Sequence, residues 1–341
     1  MKGLLQILRR SYLLLALMTL VGAFGCTKAD LHKTLKDNRF QATEGGPVLL
    51  AAYQPWFGRP GHINVGYSSQ DRVVLQRQID QAKSLGIAGF VVNWYGPGKE
   101  FEDRSYAQLQ RLAAQNDFKV ALMYDEDDSN PGNATDAVIN DLRYAYVRYI
   151  SHHATEPREP YLRYHGRPVI FIFPKGAGTD WNKVREAANS WEDPPLLIYK
   201  DFDQRYAGAF DGYYAWVHPG RKGWSPDGSN WGRDYLEDFY TTMNSKYADK
   251  LAVGAAWPGF NDSRASWSRN RRIDSRCGRT FEDSLRVFRR YYTGSRPLAF
   301  LMIVTWNDYE EGTAIERGYT NCKDANDSSV AKKGGDTSGM R

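Results

Sequence analysis

Three carboxylates are crowded into a short segment near the C-terminus. An apolar run, residues 298–305, is followed at once by Asp308, Glu310 and Glu311, with aromatic residues interleaved among them. Aromatic rings next to a few polar groups are a common lining of binding sites for organic ligands. A pair of Asp or Glu residues is the usual machinery for breaking a glycosidic bond. The segment therefore indicates carbohydrate chemistry by paired carboxylates.

Eight short apolar runs could form the strands that position these groups. They are separated by segments with helical spacing or loop composition, and buried parallel strands have this nearly continuous apolar character. Eight β/α repeats predict a single-domain (β/α)8 TIM barrel, with an irregular eighth helix because no clear helical pattern follows the last run. The predicted strands cover residues 48–53, 88–94, 119–124, 168–173, 196–199, 212–216, 251–256 and 298–304.

Polar and aromatic residues cluster where these runs end. In TIM barrels the active site forms at the carboxyl ends of the strands, so these residues are predicted to line one rim and to bind substrate. Any single aromatic residue could instead be packing, and either histidine could be structural. The predicted substrate-binding residues are Tyr53, Trp56, His62, Asn93, Trp94, Tyr95, Tyr124, Asp125, Lys175, Trp216, His218, Trp257 and Asn307.

The last motif also carries a family resemblance. Residues 307–316 resemble the Asn-Glu-Trp-x-Glu-Gly-Thr-x-Ile-Glu signature of glycoside hydrolase family 99, the endo-α-mannosidases and endo-α-mannanases. The form Thr-Trp-Asn-Asp-Tyr-x-Glu over residues 305–311 is equally similar to family 71, the α-1,3-glucanases. Residues 53–57 look like a further family 99 stretch, and the resemblance spans residues 47–316.

The resemblance implies roles for the carboxylates. Glu311 matches the general acid of either family, and Asp308 matches its partner, a base or nucleophile. Family 99 has Glu at the position of Asp308, whereas Asp is usual in family 71. Glu310 is interpreted as a supporting or solvent-facing group, and Glu316 as a residue that closes the loop by hydrogen bonds. The expected activity is hydrolysis of internal bonds of an α-linked polysaccharide or glycan, of the α-mannan or α-1,3-glucan type, without a cofactor.

Two other classes of function remain open. A glycan-binding surface lipoprotein that has lost catalysis would keep the aromatic ring, although the presence of both carboxylates argues against it. A glycan-synthesis accessory protein is the second alternative. An export signal argues against that one, because activated sugar donors are cytosolic.

The N-terminus predicts export. Residues 1–25 have a basic start, a short apolar region and a small-residue exit, which together form a signal peptide. Cys26 follows in the pattern of a bacterial lipoprotein and is predicted to be acylated, which would anchor the protein in the cell envelope. Residues 26–46 are read as a polar tether, residues 47–318 as the catalytic barrel and residues 319–341 as a disordered tail.

Composition limits the remaining interpretations. The net charge of +5 falls once the basic signal peptide is removed, so it does not indicate nucleic-acid binding. The acidic run of residues 125–128 could ligate calcium, but it fits no EF-hand spacing; Asp125 is preferred as a sugar contact, and no metal is expected. Cys277 and Cys322 are either a disulfide or two inert thiols. The arginine-rich loop 264–279 either reads an acidic glycan or is a solvated basic surface.

Overall fold

The computed structural model describes residues 47–126, 131–219, 230–292 and 298–316. Within these residues the chain forms eleven strands, which are, in order, β1 (Val48–Tyr53), β2 (Gly89–Trp94), β3 (Lys119–Asp125), β4 (Arg163–Tyr164), β5 (Arg167–Phe173), β6 (Leu196–Lys200), β7 (Gly212–Tyr214), β8 (Leu251–Ala256), β9 (Phe260–Asn261), β10 (Arg272–Ile273) and β11 (Phe300–Ile303).

Eight of these strands close into a parallel barrel. Their order is β1, β2, β3, β5, β6, β7, β8 and β11, and β11 pairs with β1 to complete the ring. The short β4 pairs antiparallel with β5, while β9 and β10 pair with each other outside the barrel. The predicted TIM barrel is confirmed. Its carboxyl ends meet at one rim, where such folds build their active sites.

Both faces of the barrel strands are buried, which explains their apolar composition. All six residues of β2 are buried, with side chains alternating between the barrel interior and the helices outside. Close strand contact also needs small residues. A Cβ at Gly212 would lie 2.2 Å from the carbonyl oxygen of Leu251, so β7 and β8 could not approach this closely with a larger residue.

Six α-helices surround the barrel in the described part of the chain: α1 (Arg72–Ser84), α2 (Glu100–Gln115), α3 (Ala134–Ala145), α4 (Trp181–Asn189), α5 (Arg233–Ser245) and α6 (Arg279–Tyr291). Asp71 and Asp180 cap the N-termini of α1 and α4 through their side chains. Among the described residues, no helix has the length and apolar content needed to cross a bilayer.

Several predicted boundaries differ from those observed. The sequence predicts a helix over residues 137–152. The observed helix begins at Ala134 and passes at Tyr146 into a π-helical turn that ends at Ile150. The link from β6 to β7 holds only a 3-10 turn, Gln204–Ala209, because too few residues separate these strands for a full helix. β7 ends before Trp216, whose amide donates to the hydroxyl of Tyr235.

Four predictions lie outside the described residues. They are the signal peptide, the acylated Cys26, the polar tether and the tail after residue 318. The irregular eighth helix would also follow Glu316, the last residue that the structure describes, and stays a prediction.

Candidate active site

The segment after β11 is a compact loop that fixes the predicted catalytic carboxylates. The hydroxyl of Thr305 lies 3.0 Å from that of Thr313 and accepts a hydrogen bond from the amide of Asp308 at 2.8 Å. The carbonyl of Asp308 in turn accepts from the amides of Thr313 and Ala314. These bonds close residues 305–314 into one rigid unit at the carboxyl end of the barrel.

Asp308 is held inside this unit as a hydrogen-bond acceptor. Its Oδ1 accepts from the amides of Glu310 at 3.1 Å and Glu311 at 2.8 Å, and its Oδ2 accepts from Nε2 of Gln54 at 3.2 Å. Only 2% of Asp308 is exposed. Burial raises the pKa of Asp308 well above its usual range, and the charge of Glu311 raises it further.

Glu311 lies beside Asp308 but has a different environment. Its Oε1 accepts a hydrogen bond from the indole Nε1 of Trp267 at 3.0 Å, across 44 residues of sequence. Burial raises the pKa of Glu311, while the hydrogen bond from Trp267 opposes the shift. A raised pKa keeps a carboxyl protonated to a higher pH than usual, which is what a general acid requires.

Glu310 is buried and ordered, not solvent-facing as one reading of the sequence expected. Its Oε2 lies 2.8 Å from Nδ1 of His62, and its Oε1 accepts from the amide of Ile63 at 3.1 Å. The ring of His62 stacks on Trp56 with 4.7 Å between centroids. Glu310 therefore ties the loop after β1 to the loop after β11 and sets the orientation of His62 and Trp56.

Asn307 and Glu316, two further residues of the motif, hold the loop in place by hydrogen bonds. The amide group of Asn307 forms a reciprocal pair of hydrogen bonds with the backbone of Gln54, at 2.7 and 2.9 Å, and Asn307 is fully buried. Glu316 accepts from Gln78, Tyr67 and Tyr309. The predicted structural role of Glu316 is confirmed. Asn307 was predicted to bind substrate, but its side-chain amide bonds to the backbone of Gln54.

A polar group from the next strands continues the rim. Nδ2 of Asn93 lies 3.3 Å from Oδ2 of Asp125 and 3.4 Å from the hydroxyl of Tyr95. The Nζ atom of Lys175 lies 3.1 Å from Oδ1 of Asp125. Burial raises the pKa of Asp125, although the charge of Lys175 opposes this. The ring of Tyr95 lies 6.3 Å from that of Trp56, so Tyr95 connects this polar group to the stacked rings of Trp56 and His62.

The rim extends from there to β7. The ammonium of Lys200 lies 3.6 Å and that of Lys175 lies 5.4 Å from the centre of the Phe173 ring. The edge of Trp216 packs against the same ring, with centroids 5.5 Å apart. His218 follows and packs on Tyr235. The predicted residues Trp56, His62, Asn93, Tyr95, Asp125, Lys175 and Trp216 thus form one continuous lining.

Besides Asn307 and His218, four predicted binding residues lie outside this lining. The hydroxyl of Tyr53 donates to Gln78 of α1, the indole of Trp94 donates to Asp103 of α2, and the hydroxyl of Tyr124 donates to Asp141 of α3. These side chains point outward to the helices because they alternate with inward neighbours along each strand. Trp257 is fully buried, and its indole donates to the carbonyl of Trp231.

No motif in the sequence singles out Trp267 or Lys200. Trp267 is isolated among small and basic residues of a long loop, and Lys200 follows its strand without a neighbouring motif. An aromatic residue within a long loop after a barrel strand was the only available signal for Trp267.

The predictions about calcium and about the disulfide both involve residues outside the described part of the chain. No group of three or more His, Cys, Asp or Glu side chains suited to a metal was found within the described residues, which do not include Asp127 and Asp128. Cys277 is exposed. Cys322 lies outside the described residues, so its pairing with Cys277 stays a prediction.

The arginine-rich loop is partly neutralised by acidic residues on either side of it. Nε of Arg271 lies 2.8 Å from Asp262, and Nη2 of Arg276 lies 2.7 Å from Asp283. These two guanidinium groups are thus occupied by partners within the chain.

A comparison with known protein families identifies the family of this chain. The family model described as glycosyl hydrolase family 71 matches residues 63–332, well over half of the chain. The chain belongs to glycosyl hydrolase family 71. This protein is therefore a glycoside hydrolase, and its substrate is a carbohydrate. No match was found among curated proteins.

Solved structures share the fold of this family 71 member. A family 99 endo-α-mannosidase from Bacteroides thetaiotaomicron, in complex with bis-tris-propane, has a TM-score of 0.61 at 19% identity and covers 81% of this chain and 88% of its own. A second structure of a family 99 endo-α-mannosidase from that organism has a TM-score of 0.61 at 17% identity, with coverages of 79% and 87%. A glycoside hydrolase-like protein has a TM-score of 0.58 at 13% identity, with coverages of 80% and 87%.

Proposed function

We propose that this glycoside hydrolase cleaves an α-linked polysaccharide internally, with Glu311 as the general acid and Asp308 as its base or nucleophile partner. The observation that carries the proposal is that one hydrogen-bonded loop at the barrel rim holds both residues, with the backbone amide of Glu311 donating to Oδ1 of Asp308 at 2.8 Å. Glycosidic bond cleavage requires two carboxyl groups placed around one sugar, and this loop supplies such a pair.

The hydrogen bonds support this division of labour. Asp308 accepts three N–H donors, and such bonds stabilise a carboxylate. The carboxyl of Glu311 accepts a single one, from Trp267. Burial and the charge of Glu311 raise the pKa of Asp308 well above its usual range, but its three N–H donors bond more strongly to the ionised form, so we assign the proton to Glu311 and the charge to Asp308. Protonated Glu311 would donate to the departing glycosidic oxygen, while ionised Asp308 would act on the other side of the sugar.

Buried polar atoms at the rim support a hydroxyl-rich ligand. Oε1 of Gln54, Nε1 of Trp56 and Oδ1 of Asn93 are buried without a hydrogen-bond partner among the described residues. Unpaired buried polar atoms are costly, and sugar hydroxyls can both donate to and accept from them. The stacked rings of Trp56 and His62 add an apolar surface next to these atoms.

Incubation of the purified protein with yeast α-mannan, fungal α-1,3-glucan and a panel of other glycans tests the proposal. Glu311→Gln and Asp308→Asn should each lower the rate about 10²–10⁴-fold, as expected when a general acid or base is removed. Glu237→Gln, a surface change on α5, is the matched control and should retain the parent rate. Release of oligosaccharides before monosaccharide indicates internal cleavage. Binding of a glycan without release would favour the glycan-binding alternative.

We also propose that the protein is exported and anchored through acylated Cys26. The support is the signal-like pattern of residues 1–25 and the small residues before Cys26. Mass spectrometry of the mature N-terminal peptide should find a lipid-modified Cys26, and Cys26→Ser should release the protein from membranes. An unmodified, soluble mature protein would contradict the anchor.

A further inference from the structure

The loop after β8 is a short hairpin that reaches over the predicted catalytic carboxylates. β9 and β10 form its base, and residues 262–271 form its tip. Asp262, fully buried inside the tip, accepts from the amides of Arg269 and Arg271 and from the Nε of Arg271. The tip is therefore ordered by a charged group at its centre.

This hairpin is fastened directly to the catalytic loop. The amide of Asn261 donates to the carbonyl of Glu311 at 2.7 Å. A Cβ at Gly312 would lie 3.3 Å from the backbone of Asn261, so a glycine lets the two segments approach closely. At the tip, Trp267 packs edge-on against Trp56 and His62, with ring centroids 6.0 and 6.3 Å apart, and donates its indole N–H to Oε1 of Glu311.

We propose that Trp267 is a positioning residue that determines which oxygen of Glu311 carries the catalytic proton. An indole N–H can only donate, so Oε1 must serve as an acceptor while the contact exists. The carbonyl oxygen of a neutral carboxyl is its better acceptor, so the proton of neutral Glu311 then resides on Oε2; the one hydrogen bond to this side chain found among the described residues is that from Trp267 to Oε1. The inference rests on the proposed function, because it gives Glu311 the role of acid.

The proton balance of the step is simple. The proton leaves Oε2 for the glycosidic oxygen, the bond from the anomeric carbon to that oxygen breaks, and its electron pair stays on the leaving sugar, which departs as an alcohol. The anomeric carbon bonds instead to the carboxylate of Asp308 or to a water that Asp308 deprotonates. Glu311 becomes a carboxylate. The N–H of Trp267 stays on Oε1 and bonds more strongly to the charged product form than to the neutral acid, because charge-assisted hydrogen bonds are stronger.

Titratable and charged groups lie around Glu311. Asp308 is on its own loop, Asp262 and Arg271 are on the hairpin, and Lys175 and Lys200 are at the exits of β5 and β6. Glu310 is its neighbour in the chain and is paired with His62 of the loop after β1. None of these groups is altered when Trp267 is replaced by phenylalanine. A change in the titration of Glu311 in that variant then reports the lost N–H, whose removal should raise the pKa of Glu311.

Trp267→Phe keeps a ring at the tip but removes the donor. On the glycan cleaved by the parent, we expect kcat to fall roughly tenfold, as partial loss of general acid catalysis predicts. On an aryl glycoside or glycosyl fluoride of the same sugar, whose leaving group needs no proton, the rate should stay within about twofold of the parent. The basic limb of the pH profile should move to higher pH. Trp191→Phe, a buried tryptophan packed on Tyr146 far from the rim, is the matched control.

An equal loss on both kinds of substrate would overturn the proposal, because a merely structural role does not depend on the leaving group. So would an unchanged kcat with an unchanged pH profile. The control variant should show neither the selective loss nor the shift in the basic limb.

A second measurement keeps the contact testable apart from activity. The indole N–H resonance of Trp267, assigned by its absence in Trp267→Phe, should shift with pH in the intact protein and stop shifting in Glu311→Gln. A signal that ignores pH, or one that titrates equally in Glu311→Gln, would overturn the pairing. If no glycan is cleaved by the parent, the proposed function fails, and the indole titration still decides whether Trp267 controls the protonation of Glu311.

Discussion

Asp262→Asn should destabilise the hairpin that carries Trp267. Oδ1 of Asp262 accepts from the amide of Arg271 and the hydroxyl of Ser268, and Oδ2 accepts from the amide of Arg269 and Nε of Arg271. An asparagine amide nitrogen cannot accept. Whichever way the asparagine is turned, two donors lose their acceptor while the side chain keeps its size.

The magnitude follows from this count. A buried donor left without a partner costs about 1–3 kcal/mol. Because the donors around Asp262 are only partly buried, about 1–2 kcal/mol applies to each, and two of them predict a loss of about 2–4 kcal/mol for Asp262→Asn. At about 1.4 kcal/mol for each factor of ten, hydrogen exchange at the amides of Arg269 and Arg271 should quicken roughly 30- to 700-fold. Activity should fall as well, because the tip then holds Trp267 on Glu311 for less of the time.

The effect should depend on pH. Burial alone would raise the pKa of Asp262, but the hydrogen bonds from Arg269 and Arg271 outweigh it and hold the pKa below its ordinary value. A depressed pKa in the folded state gives stability that is present above the unfolded pKa, about 3.9, and is lost as the pH falls through the folded value. The difference between the parent and Asp262→Asn should therefore shrink at strongly acidic pH.

Urea unfolding and site-resolved hydrogen exchange measure the two quantities together. The matched control is Asp283→Asn, which removes a carboxylate paired with Arg276 and Arg286 at the surface of α6. Solvent-exposed pairs contribute at most about 1 kcal/mol. If Asp262→Asn stays within about 0.5 kcal/mol of the parent and the exchange of both amides is unchanged, the reasoning about the buried carboxylate is refuted.

Three further predictions concern the two catalytic carboxyls and the strand-end residues that point to the helices. Burial raises the pKa of Glu311, so the basic limb of kcat/KM should lie above the ordinary glutamic acid value of about 4.3 and disappear in Glu311→Gln; a limb at or below that value would contradict the assignment. Asp308→Asn should raise the melting temperature at pH 7, because a raised folded-state pKa means that stability is lost as the pH rises through it; the gain should vanish below about pH 4, and an unchanged melting temperature at pH 7 would argue against it. Trp94→Phe and Tyr124→Phe should each reduce stability by about 1–3 kcal/mol, since each removes a hydrogen bond to a carboxylate, yet leave KM within about twofold; a tenfold rise in KM would mean that these side chains contact substrate.

The fold was predictable because its signal is local. Each barrel strand is a short apolar run, and strands buried on both faces need that composition wherever they occur in the chain. Helix starts such as Asp71 and Asp180 follow the same logic, since an N-cap bonds to amides two and three residues away. The predicted helix that ends in a π-helical turn shows the limit, because helical spacing alone does not distinguish the two forms.

The site was predictable only in part. The sequence indicated which residues stand at strand ends but not which way they point. Tyr53, Trp94 and Tyr124 each precede or follow an inward residue by one position, and a shift of one position reverses the face of a strand. Their hydrogen bonds to the helices decide the matter.

The sequence by itself determined the barrel, the family and the crowding of Asp308, Glu310 and Glu311, because all three depend on residues that are close in the chain. Only the tertiary structure decided that His62 meets Glu310 across 248 positions and that Trp267 meets Glu311 across 44. Contacts of this kind depend on closure of the barrel and on the path of the loops above it. Neither leaves a periodic trace in composition or spacing, so the environment of the acid became visible only after the chain had folded around it.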